Sequence, residues 1–197
     1  MSGIKYFSQN YNVENKSVII RLDLNVPVKE KIILDHTKIL QTVPFLENLV
    51  KKKAKVVVIS HMGRPAGIKN NELSLTPVYK FLKEKINTNI YFFTGSIDNE
   101  TKKKISHLKS GEIILFENIR FSKGENENEE GLAKTLASLG EIYINDAFSC
   151  SHRKQASIHK ITQFVKESYA GPQLKKEVQS IDFIIKDKKK PVTCIIG

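Results

Sequence analysis

The chain has 197 residues, 40% of them apolar, which suffices for one hydrophobic core and one domain of ordinary size. No run approaches the roughly 20 apolar residues of a membrane span, and the start MSGIKYFSQN lacks the apolar stretch of a secretory signal, so a cytoplasmic protein is expected. The formal charge of +11 raises nucleic acid or an anionic membrane as a partner, but the lysines are spread over nearly every expected helix, as on a solvated surface.

In chain order, SVIIRLD (17–23), KVVVIS (55–60), IYFF (90–93), EIILFEN (112–118) and EIYINDAF (141–148) are short runs rich in β-branched and aromatic residues, and each reads as a strand. Helical stretches lie between them. TKILQTVPFLENLVKKK places Ile39, Leu40, Val43, Leu46 and Val50 at helical spacing. In LSLTPVYKFLKEKI the candidate N-cap is Ser74 or Thr76, with Pro77 in the first turn. IDNETKKKISHL starts at Asp98, and NENEEGLAKTLASLG is expected to end on Gly140 as a C-cap. This alternation implies an α/β fold: a doubly wound parallel β-sheet with helices on both faces, a Rossmann-like three-layer architecture. Such a fold binds ligands in the crevice beyond the carboxyl ends of its strands.

Those ends carry a distinctive set of residues. The first strand leads into Asp23 and Asn25; the second into SHMGRP, with His61, Gly63 and Arg64. The fourth ends in Glu117, Asn118 and Arg120, and the fifth in Asn145 and Asp146, with His152 and Arg153 shortly beyond. Only Arg21, Arg64, Arg120 and Arg153 among the 32 basic residues are arginine, so each marks a place where a planar, forked donor is wanted. Three of these four and two of the five histidines converge on one rim, where they would repel one another without an anion. Taken singly, Asp23, Asn25 and Asp146 suit a turn or cap, His61 a satisfied buried histidine, and Arg64 or Arg120 a loop-holding pair with Glu117 or Asp146. There is neither GxGxxG nor GxxxxGK[ST], so side chains and not a glycine-rich loop must hold the anion. Cys150 and Cys194 form no disulfide framework and have no metal-ligand spacing with the histidines; both are expected as ordinary buried thiols.

RLDLNVP (21–27), SHMGRP (60–65), LFENIRF (115–121), NDAF (145–148), SHRKQAS (151–157) and AGPQLKKEV (170–178) resemble, in order and separation, the signature segments of the phosphoglycerate kinase family. The resemblance covers nearly the whole chain. It implies reversible phosphoryl transfer between 1,3-bisphosphoglycerate and ADP, giving 3-phosphoglycerate and ATP, by two doubly wound domains. On this resemblance Asp23 and Asn25 match residues that bind the carboxyl and hydroxyl end of the glycerate. His61, Arg64 and His152 match its basic patch, and Arg120 and Arg153 the arginines that grip phosphate. Lys38 stands where the family has an arginine steadying the transferring phosphoryl group, and Gln155 where a second histidine is usual.

The resemblance further implies a phosphoglycerate-binding domain over 1–170, an interdomain helix over 171–187 and, over 188–197, the first strand of a nucleotide-binding domain absent from this sequence. MgATP or MgADP would be bound by that absent domain, and no cofactor or metal is expected in this chain. The expected partners are 3-phosphoglycerate or 1,3-bisphosphoglycerate, with neither nucleic acid nor membrane, and a monomeric state. The 197 residues alone are expected to bind phosphoglycerate and to catalyse nothing, since in-line placement and metal-assisted charge neutralisation need both halves. A non-catalytic small-anion binder derived from the same domain, and a basic nucleic-acid binder, stand as alternatives; the second lacks the aromatic-basic interleaving of single-strand binders.

Overall fold

In a computed structural model of the chain, which describes residues 3–186 together with 191, 193 and 195, the apolar runs fold into one sheet. The elements in order are β1 (Ser17–Leu22), β2 (Val28–Lys29), β3 (Ile32–Ile33), α1 (Thr37–Lys51), β4 (Lys55–Ile59), α2 (Thr76–Lys85) and β5 (Ile90–Phe93). There follow α3 (Asn99–Ser106), β6 (Ile113–Phe116), α4 (Glu130–Ala137), β7 (Ile142–Asp146), β8 (Glu167–Ala170) and α5 (Pro172–Lys186). The sheet runs β5-β6-β4-β1-β7-β8 with every neighbour parallel, and β2 and β3 form a separate small hairpin.

Period-2 alternation divides the core between the faces. Val18, Ile20, Val56, Val58, Leu115 and Ile144 pack with Leu46 and Leu49 of α1 and Val78 and Leu82 of α2. Ile19, Val57, Ile59, Ile114 and Tyr143 point the other way, onto Ile105 of α3 and Leu136 of α4. Both faces are covered, which is why these strands read as continuous apolar runs. The register sets Arg21 opposite Ile59 on one side and Asn145 on the other, so the carboxyl ends of the three central strands are level.

Two expected helix signals resolve differently. α4 ends at Ala137 with Ser138 as its C-cap, and Gly140 lies beyond it. Gly140 is there for close packing: a Cβ would stand 2.8 Å from Ile19 Cγ1 and 2.8 Å from the Ser17 carbonyl oxygen. Neither Ser74 nor Thr76 is the N-cap of α2; that position is Leu75, with no cap from its own side chain. Glu117, arriving from β6, braces this turn, accepting from the Leu75 N–H at 2.8 Å and the Ser74 hydroxyl at 2.7 Å, while Ser74 Oγ accepts from the Thr76 N–H at 3.1 Å. Asp98 caps α3 as expected, in a reciprocal box with Thr101. β8 and the β2–β3 hairpin carry too weak a pattern to be expected. The anticipated strand over 188–197, and Cys194 within it, fall outside the described residues apart from 191, 193 and 195.

Candidate functional site

The site grows from the loops after β1, β4, β6 and β7, which leave the same edge of the sheet. Ser60 stitches the first two together: its hydroxyl donates to the Leu22 carbonyl at 2.8 Å and accepts from the Leu24 N–H at 3.0 Å. Gly63 then turns with φ of +58°, where an added Cβ would meet Leu73 Cδ2 at 2.6 Å. Its N–H donates to Asn25 Oδ1 at 2.9 Å and its carbonyl accepts from Arg120 Nη1 at 2.6 Å. One glycine thus joins the Asp23–Asn25 loop, the SHMGRP corner and the ENIRF turn. Asn118 secures the corner by donating from Nδ2 to the carbonyls of Met62 at 2.7 Å and Leu73 at 2.9 Å.

Arg120 is 3% exposed, and its Nε is buried with no partner among the described residues. Burial draws its pKa below the ordinary arginine value, yet the guanidinium remains a cation. Glu117 is spent on α2 and Asp146 on the first turn of α5, so neither pairs with Arg120. A buried cation with an unfilled donor is costly unless something negative completes it.

His61 is also buried. Desolvation, with Arg21, Arg120 and Arg153 acting in the same direction against Asp23, drives its pKa down to about 2. Burial and the arginines thus favour the neutral form of the ring. Arg21 Nη2 stands 3.0 Å from the ring's Nδ1, and Arg120 and Arg153 are near enough to act on it electrostatically. Arg153 is half-buried, and its side chain makes no hydrogen bond or ion pair among the described residues.

Lys38 lies in the first turn of α1 and donates to Asp23 Oδ2 at 3.0 Å; the lysine side chain is 49% exposed, the aspartate 15%. Ser149 donates to the same carboxylate oxygen at 2.7 Å. Burial pushes the Asp23 pKa up, but the hydrogen bonds from Ser149 and Lys38 outweigh it and hold the carboxyl below its ordinary value. Arg64 and His152 are exposed on the loops after β4 and β7, with no hydrogen bond or ion pair from their side chains among the described residues. Gln155 turns away, donating to Asn126 Oδ1 at 2.7 Å. Cys150 is buried against His61, its sulfur 3.7 and 3.8 Å from the two ring nitrogens.

Sequence reasoning marked Arg21 as one of four arginines without assigning it to the rim, and overlooked Ser60, Ser149, Ser157 and Glu125. The fourth arginine carried its own signal, since a forked cation in the middle of SVIIRLD needs buried acceptors; the three serines and the glutamate carried none. A separate cavity of about 690 Å³ opens between the β2–β3 hairpin and α2, but its lysines Lys29, Lys31 and Lys80 alternate with Glu30 and Glu72, so it offers no comparable pull on an anion. Among the described residues no three His, Cys, Asp or Glu side chains come together as a metal site.

The phosphoglycerate kinase family model matches residues 8–197. The chain is 43% identical over 189 residues to phosphoglycerate kinase of Wolbachia from Drosophila simulans, and 44% identical over 184 residues to that of Desulforapulum autotrophicum. These matches cover 96% and 93% of the chain and 47% of each relative. Among solved structures, phosphoglycerate kinase from Coxiella burnetii superposes with a TM-score of 0.83 at 38% identity, covering 92% of this chain and 45% of that one. The Pyrococcus horikoshii enzyme gives 0.84 at 27% identity, covering 94% and 47%. The chain spans about half the length of the curated relatives it matches, and it belongs to the phosphoglycerate kinase family.

Proposed function

We propose that the chain is the phosphoglycerate-binding half of a phosphoglycerate kinase, the phosphotransferase that interconverts 1,3-bisphosphoglycerate and ADP with 3-phosphoglycerate and ATP. Residues 1–170 form the binding domain, 171–187 lead toward the partner domain, and 188–197 begin it. The observation that carries this reading is the unfilled donor set at the rim: the buried, unpartnered Nε of Arg120 beside the uncommitted guanidinium of Arg153. Phosphate oxygens accept from such forks in pairs, which fixes orientation as well as affinity. Asp23 and Asn25 orient the glycerate end, His61 contributes a neutral donor, and Arg64 and His152 close over the anion from their exposed loops.

Lys38 takes the catalytic position. It is parked on Asp23 and must exchange that carboxylate for a phosphoryl oxygen, delivering charge without a fork. The nucleotide and its Mg²⁺ do not fit this rim: Asp23, Glu117 and Asp146 are each engaged by protein donors, and the surrounding arginines oppose a divalent cation. MgATP or MgADP is assigned to the partner domain, and no step is routed through it here. The protein is read as a cytoplasmic monomer engaging neither nucleic acid nor membrane; in support, no helix among the described residues is long and apolar enough to cross one.

Calorimetric titration of the chain with 3-phosphoglycerate, in the presence and absence of a single-stranded oligonucleotide, tests the reading. Saturable binding that the oligonucleotide leaves unchanged, weakened about 10- to 100-fold in Arg120→Gln, is expected. Displacement by the oligonucleotide, or equal affinity in the variant, overturns it.

A further inference from the structure

Arg21 is fully buried, and each of its three nitrogens makes a hydrogen bond inside the protein. Nη1 donates to the Leu22 carbonyl at 2.7 Å, Nε to Ser157 Oγ at 3.0 Å, and Nη2 meets His61 Nδ1 at 3.0 Å. Three of its five N–H groups are thus engaged inside the protein. These contacts have a fixed direction, because a guanidinium only donates.

That direction can be followed both ways along the chain of bonds. Since Arg21 Nε donates to Ser157 Oγ, the single hydroxyl proton of Ser157 is free to go to Glu125 Oε1, 2.6 Å away. Glu125 Oε2 accepts the Ser157 N–H at 2.9 Å, and the Ser157 carbonyl accepts from the Tyr143 hydroxyl at 2.6 Å, so the serine is held at every polar atom. Glu125 and Ser157 are both fully buried. In the other direction, Arg21 Nη2 can approach His61 Nδ1 at 3.0 Å only if that nitrogen carries no proton.

We infer that Glu125 and Ser157 are positioning residues whose bonds to Arg21 lock His61 as a neutral imidazole with its proton on Nε2, making it a hydrogen-bond donor to the bound anion and not a cation. The charged and titratable groups acting on the ring are Arg21, Arg120, Arg153 and Asp23, with the Cys150 thiol against it; the three arginines disfavour a second proton and only Asp23 favours one. Among the described residues the one hydrogen-bond contact of Nε2 is with the Cys150 sulfur, 3.7 Å away and nearly equidistant from Nδ1, so the N–H has no strong acceptor of the protein's own. A phosphate or carboxylate oxygen would supply one. His61 then contributes no switch in charge through the pH range in which an ordinary histidine, with a pKa of about 6.5, would gain and lose a proton. The part concerning ligand binding rests on the phosphoglycerate reading above; the tautomer does not.

The test is nitrogen-15 NMR of the labelled 197-residue chain, which reports the protonation of each ring nitrogen directly. His61 is expected as the Nε2–H tautomer, unchanged as the pH falls through about 6.5. Ser157→Ala is expected to give a mixture of tautomers with a titration step, and to weaken 3-phosphoglycerate binding about three- to tenfold; Ser157→Thr, which keeps the hydroxyl, should restore the single tautomer. An Nδ1–H tautomer or an imidazolium at neutral pH in the unaltered chain overturns the inference, whether or not the variants fold. So does a Ser157→Ala spectrum identical to the original. If 3-phosphoglycerate fails to bind while His61 is a locked Nε2–H tautomer, the functional reading falls and this inference stands.

Discussion

Asp146 ends β7 with Oδ1 accepting the Leu174 N–H at 2.9 Å, in the first turn of α5, while Oδ2 is buried with no partner among the described residues. Burial raises its pKa from the ordinary 3.8 to about 6, against the pull of the Leu174 and Gln173 N–H groups. A raised value means that the folded state binds the proton more tightly than the unfolded one. The corresponding stability is fully present below about pH 4 and is lost as pH rises through about 6. At roughly 1.4 kcal/mol per pH unit, the difference amounts to about 3 kcal/mol. Asp146→Asn keeps an oxygen for Leu174 and cannot ionise, so the variant should gain about 3 kcal/mol relative to the unaltered chain between about pH 4 and pH 7.5. For a domain of this length, that is a relative change in Tm of about 6 to 12 °C. Thermal unfolding followed by circular dichroism, both proteins side by side across the pH range, measures it. The other carboxylates cancel in the difference, since none shares a partner with Asp146. A difference constant across the range would refute the claim that ionising this buried side chain opposes folding.

In a full-length enzyme containing this sequence, Lys38→Arg should raise kcat at least about tenfold, because the fork adds a second bond to the transferring phosphoryl group; an unchanged or lower kcat in a coupled assay shows that Lys38 is no handicap. Gly140→Ala should destabilise the domain by about 2 kcal/mol, since the new Cβ collides with the β1 backbone and Ile19; an unmoved urea midpoint counts against the packing role given to Gly140. Glu117→Ala should cost about 1 to 2 kcal/mol by uncapping α2 from a distance, and equal denaturation midpoints would mean that Ser74 alone caps that helix.

The strands and helices were legible wherever periodicity and apolar runs were strong, from SVIIRL to IYFF. β8 was not, because ESYA mixes polar and apolar residues at the sheet edge and gains its order from pairing with β7. The rim itself was readable from Asp23, Asn25, His61, Arg120 and Arg153, since strand ends are defined by the strands. Protonation and partners were not. Whether His61 carries charge depends on Arg21, 40 residues away, and Arg21 depends on Ser157, 136 residues away. No local spacing encodes contacts at such separations. Gly140 shows the converse error: a glycine after a helix suggested a cap, when the neighbour that required it was β1.

The same separation has a consequence for synthesis. β1 is made early, yet its partner β7 and the Ser157 that fixes Arg21 are translated more than a hundred residues later. A polypeptide still emerging from the ribosome therefore carries Arg21 inside an unfinished sheet, with Ser157 not yet available to receive it. Until that stretch clears the exit tunnel, a nascent chain cannot close the buried bonds around Arg21 that finish the sheet's interior.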